Sequence, residues 1–349
     1  MQAASWSELL GWNTDRQSQA FQAFHKSCPA LRKRDGLIWE EVCAFADVLA
    51  KGQPGEQQAR RFFTTHFQPW RLVKPDGELQ GLVTGYYEPL LKGSRRQHGP
   101  YVQPMFGPPA DMVSVALEEV YPDLKHKRLR GRLSGQRLIP YYTRGQWLEQ
   151  DRKEQALLWV DSPIEGFFLE IQGSGLVELE DGSRVRLSYA DQNGHPYRSI
   201  GRWLIREGEL KPERVSMQGI KRWAQQNPQR LKELLSANPS MVFFREVQAV
   251  GSGPPGALGI PLTPRRSIAV DLRHLPLGAP VWLDTTWPNT RKPLRRLMVA
   301  QDTGGAIRGV VRADFYWGSG DQAGQYAGQM KQQGKMWLLM PKSYQPPLQ

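Results

Sequence analysis

The sequence predicts a mainly β protein with a helical N-terminus, an α+β arrangement divided into two domains. Three observations carry that prediction. The 349 residues suffice for two hydrophobic cores. Apolar residues in the first eighty positions recur near helical spacing, whereas from Gly77 onward they fall in short runs punctuated by Gly, Pro and Asp-Gly. The last hundred residues hold short strand-like runs at the spacing of a barrel.

In the helical part, Trp6, Leu9, Leu10, Phe21 and Phe24 keep helical intervals, and Trp39, Val42, Phe45, Val48 and Leu49 fit one face. They predict helices over 16–26, 36–51 and 56–63, the first two joined through 29–35. Their aromatic side chains read as core. Cys28 and Cys43 stand fifteen apart on this hairpin; a disulfide and a pair of buried free thiols both suit that spacing.

Strand signals begin at 79–91, which includes Thr84-Gly85-Tyr86-Tyr87-Glu88-Pro89. Residues 95–137, rich in Pro, Gly and basic side chains, read as surface loop. Residues 157–160 and 166–171 read as strands. Residues 177–187 alternate around Asp181-Gly182, which predicts a hairpin with a type I′ turn and makes Asp181 a turn residue. Helices are expected over 200–207, over 216–226 with Ser216 as N-cap, and over 229–237. A Gly/Pro-rich run over 251–259 precedes strands at 267–271, 280–283, 296–301, 313–317 and 335–339.

Two of those strands abut Asp302 and Asp314, with Thr303-Gly304-Gly305 between them. A carboxyl beside β-branched and aromatic residues loses water, and a neighbouring carboxylate raises its pKa further. Such a group keeps its proton near neutral pH and serves as a general acid. An Asp beside Gly also commonly caps a turn. Asp271 is a third aspartate at a strand end.

The net charge of +12 favours an anionic partner: nucleic acid, an anionic membrane surface or an acidic wall polymer. Basic clusters occur at 32–34, 95–96, 125–128 and 295–296. No run of about 18 apolar residues appears, so no helix is expected to span a membrane. The N-terminal residues lack the pattern of a secretory signal; a mature exported form and a cytosolic protein both fit. The six histidines are dispersed, no Cys/His ligand spacing occurs and no Gly-rich phosphate motif is present, so neither metal nor cofactor is expected. Ser174 lies between glycines but lacks the nucleophile elbow; with Asp191 and His195 nearby, a Ser-His-Asp hydrolase stays an alternative.

Ordered motifs add a resemblance. Residues 83–89 (VTGYYEP), 170–175 (EIQGSG), 189–201 (YADQNGHPYRSIG), 216–218 (SMQ) and 238–244 (NPSMVFF) resemble the membrane-bound lytic murein transglycosylase A family. The final hundred residues resemble its C-terminal three-aspartate domain, a double-psi β-barrel. The resemblance covers 81–339 and implies a barrel with N-terminal helices from 1–88 and 249–349. A β-rich substrate-binding domain, 89–248, would be inserted, with a groove between the two.

It further implies cleavage of the β-1,4 bond between N-acetylmuramic acid and N-acetylglucosamine without water, leaving 1,6-anhydro ends. Asp314 matches the family's catalytic aspartate and Asp302 its neighbour. Thr84, Tyr86, Tyr87, Gln172, Gly173, Ser174 and Asp271 are the expected sugar contacts, with one tyrosine of the pair packing in the barrel instead. The implied partner is the peptidoglycan strand, with no nucleic acid and no membrane span; the implied form is a monomer in the periplasm, associated with the outer membrane. A lipid-modified N-terminal cysteine is not visible in these residues. The rival readings are an expansin-like barrel that binds wall glycan without cutting it, and a basic nucleic-acid-binding module.

Overall fold

The structure, a computed structural model, describes residues 1–124, 127, 129–150, 152–248 and 253–344. The basic cluster at 125–128, apart from Lys127, lies outside the described residues, as does the start of the loop at 249–252. The chain forms two compact units, Met1–Tyr87 with Val250–Gln349, and Glu88–Ala249.

Six strands form the barrel of the first unit: β1 (Gly81–Glu88), β2 (Ser267–Val270), β3 (Pro280–Thr286), β4 (Pro293–Asp302), β5 (Ala313–Ser319) and β6 (Lys331–Pro341). Hydrogen bonding runs β6-β3-β4-β2-β5-β1, and β1 also pairs with β6, which closes the ring. The closed ring and its parallel β2–β4 pair agree with the expected barrel. β6 closes it because it is long: Lys331–Gly334 pair with β1 and Lys335–Leu338 with β3. Its far end pairs with the strand Phe67–Arg71. Inward residues of these strands, among them Ile268, Val281, Leu297, Phe315 and Leu339, are fully buried.

The N-terminal helices are α1 (Gln17–Ala50) and α2 (Glu56–His66). α1 folds back at Asp35, whose φ/ψ of −156°/73° is not helical. The reversal brings Cys28 and Cys43 to a Cα–Cα distance of 5.5 Å, and they are bridged. Residues 29–34 continue the first arm rather than forming the expected loop. Pro29 removes one backbone hydrogen bond, but Cys28 and Leu31 are buried, and Leu31 packs against Gly278. The second arm buries Trp39, Val42, Cys43 and Ala46, and leaves Phe45 and Val48, expected on that face, exposed. The segment around Trp6 and Trp12 forms two 3₁₀ turns instead of a helix. Trp12, Phe24, Phe63 and Trp282 build an aromatic core within this unit. Arg266, almost wholly buried, donates to both oxygens of Asp15 at 2.7 and 3.0 Å, while the Leu297 N–H donates to Asp15 at 2.8 Å. That ion pair ties the residues before α1 to β4.

The second unit is built on a six-stranded sheet ordered Val242–Gln248, Arg184–Gln192, Ser174–Leu179, Leu90–Ser94, Ala156–Val160, Gln103–Phe106. A helical cluster packs Phe167, Leu204, Trp223 and Leu234 together. Residues 166–171, expected as a strand, belong to the helix Pro163–Gln172. The Ser162 hydroxyl accepts from the Glu165 N–H, Pro163 opens the first turn, and Gly173 ends the helix at φ 78°. The stretch 95–137, expected as loop, contributes strands Gln103–Phe106, Val113–Val115 and Leu129–Ser134. In the hairpin at 177–187 only Gly182 has positive φ, so the turn is not type I′. The Gly182 N–H donates to the Leu179 carbonyl, the Leu179 N–H donates to the Ser183 carbonyl, and Asp181 accepts from the Ser183 N–H. Ser216 caps the helix Met217–Gln226 as expected.

Candidate functional site

The barrel brings Asp302 and Asp314 to the two sides of one strand. Ala269 of β2 is in register with Asp302 on β4 and with Asp314 on β5. The β2–β4 ladder shifts register at this level. The skipped residue, Gln301, turns inward: its amide donates to the Ala23 carbonyl at 2.8 Å and to Ser27 at 2.9 Å, and the Ser267 hydroxyl donates to it. A bulge thus anchors β4 to α1 immediately before Asp302.

Each carboxylate has its own donors. The Thr84 hydroxyl of β1 donates to Asp314 Oδ1 at 2.6 Å, and Arg312 Nη2 donates to Thr84 Oγ1 at 2.9 Å. A guanidinium has no acceptor, so the single Thr84 proton is directed at Asp314. Asp314 Oδ1 is therefore an acceptor, and a proton carried by this carboxyl belongs on Oδ2. Tyr86 donates to Asp302 Oδ2 at 3.0 Å, and the Ala257 N–H donates to Oδ1 at 2.9 Å.

Burial raises the pKa of both groups. For Asp314 the Thr84 hydrogen bond and the Arg312 charge oppose the rise without cancelling it. Asp302 is raised to about 6; hydrogen bonds from Ala257, Thr303 and Tyr86 pull down, and the Asp314 charge pushes up. Among the described residues these are the two carboxyls whose pKa is raised.

Of the other expected residues, Tyr86 is partly exposed and stacks obliquely on Tyr316 at 5.2 Å. Tyr87 is buried, its ring close against Gly324. The two tyrosines are divided between surface and core. Gly85 between them has no room for a Cβ, which would stand 2.6 Å from Trp317 Nε1 and 3.0 Å from the Ala327 Cα. Asp271 is fully buried and held well below the usual carboxylate range by Arg273, whose Nη2 lies 2.6 Å from Oδ2. It also accepts from the Gly309 N–H at 2.7 Å. Its carboxylate braces the loop that follows Asp302, helped by Thr303, which donates to the Val270 carbonyl at 2.9 Å. Gln172, Gly173 and Ser174 lie in the second unit, at the end of the helix Pro163–Gln172 and the start of the next strand.

No Ser-His-Asp relay forms: His195 Nε2 bonds the Tyr141 carbonyl at 2.7 Å, and both Asp191 oxygens accept from Arg130 Nε. Arg312 and the Ala257 N–H escaped the sequence reading. Arg312 is two residues before Asp314, and β alternation alone puts both on one face. No group of three metal-ligating side chains occurs among the described residues, and no helix there is long and apolar enough to cross a membrane.

Residues 82–245 match the family model described as the MltA specific insert domain, and residues 266–340 match the 3D domain. Over 278 residues the chain is 33% identical to the membrane-bound lytic murein transglycosylase A of Escherichia coli K12, spanning 77% of this chain and 68% of that protein. Among solved structures, MltA from Neisseria gonorrhoeae in its monoclinic form has a TM-score of 0.87 at 40% identity, covering 99% of this chain and 93% of the other. E. coli MltA with bound chitohexaose has a TM-score of 0.71 at 26% identity, covering 95% and 90%.

Proposed function

The chain belongs to the membrane-bound lytic murein transglycosylase A family, and from that premise we propose that Asp314 is the one catalytic acid and base of a peptidoglycan lytic transglycosylase. The observation that carries the proposal is the half-buried Asp314, raised in pKa and held on one oxygen by Thr84. Glycosidases that use water need a second carboxylate as nucleophile or base. A lytic transglycosylase attacks the anomeric carbon of N-acetylmuramic acid with that sugar's own C6 hydroxyl, an intramolecular step of high effective molarity. Asp314 gives its proton to the departing glycosidic oxygen as the C1–O bond breaks. It then takes the C6 hydroxyl proton as the new C1–O6 bond forms, so the carboxyl ends as it began.

Asp302 tunes that proton transfer by its charge and its own raised pKa. The partly exposed face of Tyr86 supports a sugar contact in the barrel, whereas the buried Tyr87 and Asp271 support packing roles. Gln172, Gly173 and Ser174 are assigned to the acetamido and hydroxyl groups of the glycan; chitohexaose in a related structure supports a groove for several sugars. A cell-envelope location follows from membrane-bound relatives, and we place the protein in the periplasm at the outer membrane.

Mass spectrometry of muropeptides released from purified sacculi tests the reading. Anhydro ends are expected from the native chain and none from Asp314→Asn. Reducing ends would mean hydrolysis, and intact sacculi would mean an expansin-like binder.

A further inference from the structure

A cleft of about 740 Å³ opens in the second unit, walled in part by Arg198, Arg202, Arg206, Tyr197, Trp203 and Thr143, with no carboxylate in its lining. Arg202 and Arg206 lie one turn, about 6 Å, apart on the helix Ile200–Arg206, and Arg198 precedes its Ser199 cap. All three arginines are exposed. The side chains of Arg198 and Arg202 have no hydrogen-bond or ion-pair partner among the described residues, while Arg206 pairs with Glu207 at 2.9 Å. The frame beneath them is fixed. The Arg198 N–H donates to Asn238 at 2.9 Å, and Trp203 is held between Trp223 at 6.4 Å and the Arg230 guanidinium at 5.5 Å. Tyr197 leaves 55% of its surface open beside them.

Guanidinium groups without internal partners bind carboxylates by paired hydrogen bonds, and a concave cationic wall concentrates the potential. We propose that this cleft is a binding site for carboxylate-bearing peptide, the acidic side branches of the glycan strand, a proposal that rests on the peptidoglycan reading above. Cations spread along the wall and interleaved with aromatic faces match a short peptide with several carboxylates and apolar side chains, more than one compact phosphate.

The test compares glycan strands carrying their peptides with the same strands stripped by an amidase. Arg198→Ala/Arg202→Ala/Arg206→Ala is expected to raise KM on peptide-bearing strands about tenfold, ~1.4 kcal/mol, and to keep the native KM on stripped strands. Lys33→Ala/Arg34→Ala/Lys51→Ala, an equal loss of exposed charge in the first unit, is expected to keep the native KM on both. Equal losses in the two triple variants, or equal losses on the two strands, would overturn the proposal. If the native chain released no anhydro ends at all, the transglycosylase reading would fail on its own. Calorimetric binding of the free acidic tetrapeptide, present in the native chain and lost in the arginine variant, would then still stand.

Discussion

Asp302 and Asp314 share one register partner, lying across from Ala269 on opposite neighbours of the same strand. Their heights on the barrel are thus set by backbone hydrogen bonds rather than by side-chain rotamers. The donors they receive differ: Asp314 accepts from a hydroxyl that a guanidinium holds in turn, Asp302 from a phenol and a backbone amide.

Asp314→Asn is expected to abolish release of anhydro ends, a loss of at least about 10²–10⁴-fold in kcat. Asp302→Asn is expected to reduce kcat while sparing KM. Steady-state kinetics on isolated glycan strands read both. Full activity of Asp314→Asn would remove this residue from the mechanism.

Arg312 acts on Asp314 through Thr84 and through its charge. Arg312→Met withdraws the cation that opposes the rise in Asp314, so the alkaline limb of the pH–rate profile is expected to move to higher pH. The freed Thr84 hydroxyl also costs kcat about tenfold, ~1.4 kcal/mol. Thr84→Val gives a similar loss, and Thr84→Ser restores activity. A fall in kcat with an unmoved profile would show only a structural part for Arg312.

Asp302 titrates near 6 in the folded chain against a reference value of 3.8. Between those values the native state still holds a proton that the unfolded chain has released. Its contribution to stability is therefore present at low pH and declines as pH rises from about 4 to about 6. Asp314 adds a contribution of the same sign. Urea midpoints measured across this window are expected to decline less for Asp302→Asn than for the native chain. Parallel declines would contradict the raised value.

The Arg266–Asp15 pair is nearly inaccessible to solvent on both sides, at 2% and 5% side-chain exposure. Arg266→Ala leaves a buried carboxylate unpaired and is expected to cost about 3–5 kcal/mol of unfolding free energy. Denaturant unfolding checks this; a cost below about 1 kcal/mol would show that the N-terminal residues are not docked as described.

The two aspartates were legible because a carboxyl beside a run such as Leu297–Ala300 or Phe315–Trp317 is an anomaly that packing does not need. Asp271 has the same local pattern and a different role. Arg273 two positions on turns back onto it, and one-dimensional spacing did not reveal which of three similar aspartates would find a cation. The helix Pro163–Gln172 was misread because Phe167, Phe168 and Leu169 form an apolar run that suits a buried strand equally well. The Ser162-Pro163 start and the Gly173 stop held the decisive signal. Barrel closure by β1 depends on pairing residues about 250 positions apart, as in Lys331 with Thr84, and no local pattern encodes that.

That same pairing orders events during synthesis. Thr84 leaves the ribosome long before Lys331, and all of Glu88–Ala249 emerges in the interval. The second unit is contiguous and has every strand it needs as soon as it is made, whereas β1 waits with an open edge until β6 is added. A truncation that removes β6 therefore leaves the middle of the chain complete and the carboxyl of Asp314 without its assembled surroundings.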